Sequence, residues 1–194
     1  MSTADLIPIA EQTAIAGSPA EVWPLLADPL TVVACVPGAA ITAQRPDGTY
    51  EATISVRFGP TVAKFTGEVT VNYDHSARRC SVEGRGIDQR GASRALVSLQ
   101  VGVDGGEQTV LAVNGGFSVA GPLESFASAG GVHVARALLA EFAKNMAAVM
   151  EAKRPGSPQA GASVPVPAAE LRGDKLLWQA LLGWLRQLFP RRRH

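Results

Sequence analysis

Residues 18–38, SPAEVWPLLADPLTVVACVPG, contain two helix starts and one helix end in close succession. Ser18 precedes a proline, and Glu21 follows three positions after Ser18, which together predict a capping box at the start of a short helix. Asp28 and the proline after it repeat this start signal, and the Pro-Gly pair at the end of the stretch stops the second helix. The stretch therefore predicts two short helices that meet at an angle.

Strand patterns lie on both sides of this helix pair. Residues 5–17 precede it as a strand of modest hydrophobicity, and beyond Ala39 the apolar side chains recur at every second position. Such alternation is typical of strands with one face toward a core and one toward water. Turn-forming residues separate the later strands, which are predicted at 49–58, 64–73, 78–88, 91–103 and 108–119. The sequence thus predicts an antiparallel sheet of six or seven strands.

A helical pattern returns after Gly121 and Pro122 and continues for about 28 residues. Apolar and small residues recur there at helical spacing, namely Leu123, Phe126, Ala127, Gly130, Val134, Leu138, Phe142 and Met146. A helix of this length can cover the apolar face of the sheet, which the two short helices cannot. The predicted fold class is therefore α+β of the helix-grip type, in which a curved antiparallel sheet wraps around a long C-terminal helix and the short helices close one end.

Composition limits the classes of function. The 194 residues are 46% apolar and 18% charged, which suits a globular protein with a sizeable core. Residues 171–194 hold six basic residues and one acidic residue, so their net charge is +5, whereas the rest of the chain carries −4. Basic character confined to the tail argues against a nucleic-acid-binding body. Cys35 and Cys80 form no metal or disulfide motif, and no signal peptide is visible, which predicts a cytoplasmic protein without a metal site.

Three segments of the body resemble one protein family. They are SPAEVWPLLADPLTVVACVPGA at 18–39, FGPTVAKFTGEV at 58–69 and EGRGIDQRGASRALVSLQV at 83–101. Over roughly residues 5–150 the chain resembles the CoxG family, accessory components of molybdenum carbon monoxide dehydrogenase that belong to the START-like ligand-binding superfamily, also called SRPBCC. The most specific part is Asp28-Pro29 followed by Cys35-Val36-Pro37-Gly38.

The resemblance implies an apolar cavity between the sheet and the long helix. The mixture of large and small residues on the predicted inner face agrees with unfilled apolar volume, although the glycines could instead serve only the curvature of the sheet. The predicted ligand-binding residues lie on the second short helix, the strands and the long helix: Val32, Cys35, Val36, Ala52, Ile54, Phe58, Phe65, Val69, Leu96, Leu99, Phe117, Phe126, Gly130, Val134 and Leu138.

Catalytic motifs are not recognisable in the sequence, so we predict no catalytic residue. Cys35 lies at the end of an apolar helix without a basic neighbour in sequence, which favours a small buried residue over a nucleophile. Arg85, Arg90 and Arg94 lie close together on a predicted strand pair, as either a docking patch for an acidic partner or a solvated sheet face. We expect no metal or redox cofactor to be intrinsic to the chain, whereas a quinone, either menaquinone or ubiquinone, fits the role of a bound ligand.

The C-terminal part of the sequence differs from the body, which we assign to residues 1–152. Residues 153–170 are rich in Pro, Ala, Gly and Ser and predict a flexible linker. Residues 171–194 predict an amphipathic helix followed by three arginines, too short to span a bilayer but suited to an anionic surface. A groove on a partner protein and the chain's own body are alternative docking sites. The predicted membrane contacts are Leu177, Trp178, Leu181, Trp184, Leu185, Leu188, Phe189, Arg191, Arg192 and Arg193.

Two functional hypotheses follow from these features. In the first, the chain is a non-catalytic carrier or recruitment factor that holds an apolar, lipid-like ligand while its tail contacts the inner face of the cytoplasmic membrane. The resemblance to CoxG implies a respiratory quinone as the ligand and molybdenum carbon monoxide dehydrogenase, or a related oxidoreductase, as the partner. In the second, the chain is a START-like enzyme of the cyclase or hydratase type that acts on an apolar substrate in the same cavity.

Overall fold

The structure is a computed structural model that describes residues 6–58 and 61–153, with Phe58 described by its backbone only. Within these residues the chain forms seven strands and three helices, in the order β1 (Ile7–Ile15), α1 (Pro19–Leu26), α2 (Pro29–Cys35), β2 (Ala39–Gln44), β3 (Tyr50–Phe58), β4 (Thr61–Asp74), β5 (Arg79–Asp88), β6 (Arg94–Gly105), β7 (Thr109–Ala120) and α3 (Glu124–Lys153). This order confirms the predicted helix-grip fold. The predicted linker, apart from Lys153, and the predicted tail lie outside the described residues.

All seven strands belong to one antiparallel sheet in the order β1-β7-β6-β5-β4-β3-β2. The first strand therefore closes the far edge: β1 lies beside β7, with Ile9 opposite Gly115 and Ile15 opposite Thr109. Because successive side chains of a strand point to opposite faces, the pairing divides each strand between an inner face and an outer face. On β4, Phe65 faces the core on the inner side, whereas Glu68 bonds to Arg85 on the outer side.

The helix pair begins as its sequence predicts. The backbone N–H of Ser18 donates to Glu21 Oε2 at 2.8 Å, which is the reciprocal half of a capping box before α1. The Asp28 carboxylate accepts hydrogen bonds from the backbone N–H groups of Leu30 and Thr31, both at 3.3 Å, at the start of α2. After α2 the chain turns at Gly38, whose φ is +75° and whose position leaves no room for a Cβ beside the carbonyl oxygen of Ser55.

The long helix α3 crosses the inner face of the sheet and packs mainly on the strands near the two edges of the sheet. Its principal strand neighbours are β1 and β7 at one end and β3 at the other, and α2 packs beside it. The buried core is accordingly in two parts. A large cluster surrounds Ile15, Val22 and Met146, and a small cluster surrounds Phe65 under the N-terminal half of α3. The central strands lie farther from the helix, and the space above them is a cavity.

Candidate functional site: an apolar cavity

A cavity of about 540 Å³ lies between the inner face of the sheet, α2 and α3. Its floor contains small residues where a filled core would have large ones, namely Ala52, Gly67, Gly84, Gly86 and Ala95. Two of these glycines also satisfy the strand geometry, because a Cβ at Gly67 would overlap the carbonyl oxygen of Arg85 and one at Gly84 would lie 2.7 Å from Val97 Cγ1. The close approach of the neighbouring strand at Gly67 leaves no room for a side chain, and the missing side chains leave volume in the cavity. The role of the glycines in the curvature of the sheet stays a prediction.

The ceiling of the cavity is one face of α3 together with α2. The residues of α3 that line it follow helical spacing: Gly131, Val134, Ala135, Leu138, Leu139 and Phe142. From the helix pair the lining residues are Leu26, Pro29, Val32, Val33 and Val36. The double helix start therefore has a structural purpose, since α2 presents an apolar end wall to the cavity.

Most of the predicted ligand-binding residues meet around this cavity. Eleven of the fifteen line it: Val32, Val36, Ala52, Ile54, Phe65, Val69, Leu96, Leu99, Phe117, Val134 and Leu138. The side chain of Phe58 lies outside the described part of the chain. Leu96 also borders the cavity, but it lies opposite Arg85 in the sheet. Opposite residues of paired strands share a face, so the side chain of Leu96 lies on the outer face with that of Arg85.

The other three predicted residues lie away from the cavity. Cys35 is 1% exposed but is buried in the large core cluster instead. Phe126, on the first turn of α3, is 44% exposed. Gly130 faces open space, and the cavity-facing glycine is its neighbour Gly131, where a Cβ would overlap the ring of Phe117. One residue along a helix is a rotation of about 100°, so a Gly-Gly pair in a broad stripe leaves the facing glycine undecided.

Three polar residues on the inner face of the sheet border the cavity and were missed in the sequence. Glu11, Tyr50 and Tyr73 all line the cavity. The hydroxyl of Tyr50 accepts a hydrogen bond from Gln44 Nε2 at 3.3 Å. Burial raises the pKa of Tyr73 to about 12, so this hydroxyl stays neutral. The signal for Glu11 was available, because it occupies an inward position in the alternation of β1, where a charged residue needs a partner.

The partner of Glu11 is Arg136 on α3. Arg136 Nη2 donates to Glu11 Oε1 at 2.7 Å, and Arg136 Nε donates to both carboxylate oxygens at 3.1 Å. These hydrogen bonds lower the pKa of Glu11, so the carboxyl is ionised at neutral pH. The ion pair ties the edge strand to the helix at the margin of the cavity.

The two thiols are buried and free of disulfide bonds. Burial raises the pKa of both Cys35 and Cys80, which keeps them as neutral thiols rather than nucleophilic thiolates. The backbone carbonyl of Cys35 accepts a hydrogen bond from Asn145 Nδ2 at 3.0 Å, which joins the end of α2 to α3. Cys35 is therefore a packing residue, in agreement with its predicted role as a small buried side chain.

Of the three arginines that suggested a docking patch, Arg85 and Arg94 lie on the outer face of the sheet and Arg90 lies in the turn between β5 and β6. Arg85 donates to Glu68 at 2.6 and 2.9 Å. Arg94 borders, with Ile87 and Leu96, a shallow groove of about 360 Å³. The docking-patch hypothesis for Arg85, Arg90 and Arg94 stays a prediction.

Neither a metal-ligand cluster nor a membrane-spanning helix occurs among residues 6–58 and 61–153, which the structure describes. In this part of the chain no group of three or more His, Cys, Asp or Glu residues is arranged to hold a metal ion. No helix in it combines the length and apolarity that crossing a membrane requires. The predicted membrane contacts between Leu177 and Arg193 lie outside the described residues.

Comparison with known proteins identifies relatives of this cavity-containing body. The model of the carbon monoxide dehydrogenase CoxG family matches residues 12–151. A search of curated proteins found no match. A conserved protein from Geobacillus kaustophilus is similar in structure, with a TM-score of 0.65 and 17% identity over 74% of this chain and 95% of the other.

Two further solved structures share the architecture. The ZhuI aromatase/cyclase from Streptomyces sp. R1128 has a TM-score of 0.56 and 13% identity over 81% of this chain and 99% of the other. The lipid transfer and protein localization domain of human StarD13 has a TM-score of 0.51 and 12% identity over 73% of this chain and 77% of the other. At these identities the similarity shows the fold alone.

Proposed function

Because this chain belongs to the CoxG family of carbon monoxide dehydrogenase components, we propose that it is a non-catalytic carrier of an apolar, quinone-like molecule. The observation that carries the proposal is the cavity of about 540 Å³, whose walls are built almost wholly of aliphatic and aromatic side chains. Apolar volume of this size in a folded core favours an apolar occupant, because water there would find few hydrogen-bond partners.

The volume of the cavity limits how many ligand atoms it can hold. At about 30 Å³ for each water-sized group, 540 Å³ accommodates roughly 18 non-hydrogen atoms. A bicyclic quinone ring with one isoprene unit has about this size. We therefore propose that the ring and the first part of the chain of a menaquinone or ubiquinone occupy the cavity, while a longer isoprenoid tail extends beyond it.

The partner in this proposal is a carbon monoxide dehydrogenase, which the family description names, and the resemblance to CoxG implies that it is the molybdenum enzyme. Electrons from such an enzyme reach a membrane quinone only if the quinone leaves the bilayer or the enzyme approaches it. A carrier with an apolar cavity and a membrane-binding tail would serve both routes. The tail at 171–194, with two tryptophans and three arginines at 191–193, supports peripheral attachment to an anionic inner leaflet.

Reconstitution tests this function. Purified dehydrogenase, carbon monoxide and anionic liposomes that contain menaquinone are mixed with and without the full chain, and quinone reduction is followed by absorbance. We expect the full chain to accelerate reduction and Gly131→Leu, which fills the cavity, to lose most of that effect. Gly130→Leu, whose new side chain faces open space, is the matched control. Equal rates with and without the full chain would rule out the carrier function.

The enzyme hypothesis requires a catalytic side chain in the cavity, which the carrier hypothesis does not. A cyclase or hydratase needs a side chain there that can exchange a proton with the substrate. The carboxylate of Glu11 is bonded to Arg136, and burial raises the pKa of the Cys80 thiol and of the Tyr73 hydroxyl. These observations support a carrier. Recovery of a bound apolar molecule with an altered skeleton after incubation would favour the enzyme.

A further inference from the structure

We infer that Glu11 selects the polar head of the ligand, and that it favours a hydroxyl-bearing head, such as that of a hydroquinone, over the corresponding quinone. This inference rests on the proposed carrier function and adds to it the preferred redox form of the cargo. It follows from where the carboxylate lies, what holds it and which groups surround it.

Glu11 is in the middle of β1, on the inner face, opposite Val113 of β7. Its side chain is 17% exposed and borders the cavity, as do the apolar residues Ile9 and Val113 on either side of it. Other charged residues that border the cavity, Glu68 and Arg85, bond to each other on the outer face of the sheet. Glu11 is thus the charged side chain that a ligand inside the described cavity would meet.

Arg136 fixes the carboxylate without entering the cavity. It is 58% exposed, so its guanidinium remains in contact with water while Nε and Nη2 hold Glu11. A guanidinium on the solvent side stabilises the ionised form of a largely buried carboxylate, which then presents acceptor oxygens and no donor toward the cavity. Two oxygens offer about four acceptor positions, and one guanidinium does not use all of them.

An ionised acceptor on an apolar wall discriminates between a quinone and its hydroquinone, which differ by two hydrogen atoms and therefore carry carbonyl or hydroxyl groups. A ligand hydroxyl gains a charge-assisted hydrogen bond there, whereas a ligand carbonyl brings two acceptor groups together without a proton between them. The hydroxyls of Tyr50 and Tyr73 can donate as well as accept, so they do not make this distinction. A hydrogen bond to an ionised group corresponds to about a tenfold to a hundredfold change in affinity.

A matched pair of probes isolates this preference. Naphthalene-1,4-diol and 1,4-naphthoquinone have the same non-hydrogen atoms and differ by two hydrogens. Their dissociation constants are measured without oxygen for the full chain, for Glu11→Gln and for Glu141→Gln. The first variant keeps the size of the side chain and removes its charge, and the second removes a charge from an exposed residue of α3 that pairs with Lys144 away from the cavity.

We expect the full chain and Glu141→Gln to bind the diol at least about tenfold more tightly than the quinone. Glu11→Gln should bring the ratio close to one, because an amide donates as well as accepts, while quinone affinity is retained or rises. Equal affinities of the full chain for both probes, or an unchanged ratio in folded Glu11→Gln, would overturn the assignment. If Glu11→Gln does not fold, the ratio for the full chain decides. If neither probe binds any variant, the proposed carrier function fails first and this inference with it.

Discussion

At the scale of single residues, the cavity depends on Gly131. A Cβ at this position would overlap the Phe117 ring, so any side chain must push that ring or itself into the empty volume. Gly130 precedes it on the same helix and faces open space. The two glycines are neighbours on the same helix, but only Gly131 faces the cavity, so substitutions at the two positions form a matched pair.

Gly131→Leu should abolish uptake of an apolar fluorescent probe without unfolding the domain. Overpacking costs about 1–3 kcal/mol, partly offset by the better helix propensity of leucine. Gly130→Leu should keep probe uptake and be more stable by up to about 1 kcal/mol, since it gains propensity without a clash. Probe titration and thermal denaturation of both variants measure these effects. Probe uptake by folded Gly131→Leu at the level of the unmodified chain would place the ligand elsewhere.

The sequence predicted which individual residues face the cavity less completely than it predicted the helices and strands. Alternation in β3 and β4 correctly placed Ala52, Ile54 and Phe65 on the cavity wall. It could not choose between Gly130 and Gly131, because helical periodicity in a long apolar stripe tolerates a one-residue shift. The inward position of Glu11 could be predicted from the alternation of β1, but its partner could not, because Arg136 is 125 residues away and only the packing of α3 on β1 brings the two together.

At the scale of elements, α2 depends on its N-terminal cap. The Thr31 hydroxyl and the backbone N–H groups of Leu30 and Thr31 donate to the Asp28 carboxylate, and the Thr31 hydroxyl contributes most to lowering the pKa of Asp28. Because the pKa is lower in the folded chain, the charged cap stabilises the fold above the unfolded-state pKa of about 3.9. That stabilisation is lost as the pH falls through the lowered folded-state pKa.

Asp28→Ala should therefore reduce the free energy of unfolding by about 1 kcal/mol at pH 7. The difference from the unmodified chain should shrink as the pH falls below about 4, where Asp28 of the unfolded chain takes up a proton, and its electrostatic part should vanish once the pH is below the lowered pKa of Asp28 in the folded chain. Denaturant unfolding at several pH values measures it. Asp104→Ala, which removes an exposed partner of Arg79, is the control and should have a much smaller effect at pH 7. A cost for Asp28→Ala that is independent of pH would contradict the electrostatic part of the cap.

Elements were more predictable from the sequence than contacts. Proline after Ser18 and after Asp28 located both short helices, since proline is tolerated in the first turn and both residues are good caps. The predicted strand at 5–17 is observed as Ile7–Ile15, and it ends before Gly17, whose φ of +103° is outside the strand conformation. The sequence could not show that β1 pairs with β7, because that pairing joins the two ends of the body.

At the scale of the whole molecule, the proposed carrier consists of a ligand-holding body and a membrane-binding tail. The residues that end α3 belong to the body, since Val149 and Met150 pack against the large core cluster. Truncation after Lys153 should therefore leave the cavity and its ligand affinity intact. The truncated chain should no longer sediment with anionic liposomes, and sedimentation equal to that of the full chain would contradict the role of the tail.

Substitutions within the tail should separate the apolar and the electrostatic contributions to liposome binding. Trp178→Ala combined with Trp184→Ala should weaken liposome binding at every salt concentration, because apolar burial is not screened. Replacing Arg191, Arg192 and Arg193 by alanine should weaken it mainly at low salt, since each arginine contributes about 1 kcal/mol near an anionic surface and this part is screened. Co-purification of an oxidoreductase that requires the tail, without any liposome binding, would instead favour a groove on a partner protein.

The central claim is that the body carries one apolar, quinone-like molecule in its cavity. Native mass spectrometry of the full chain, purified without detergent and then offered quinone-containing vesicles, tests it most directly. We expect one bound molecule per chain whose mass, after extraction, matches a quinone or its hydroquinone, with the same occupancy in Gly130→Leu and none in Gly131→Leu. A full chain that remains unloaded after exposure to menaquinone and ubiquinone vesicles, or a Gly131→Leu variant loaded like the full chain, would contradict it.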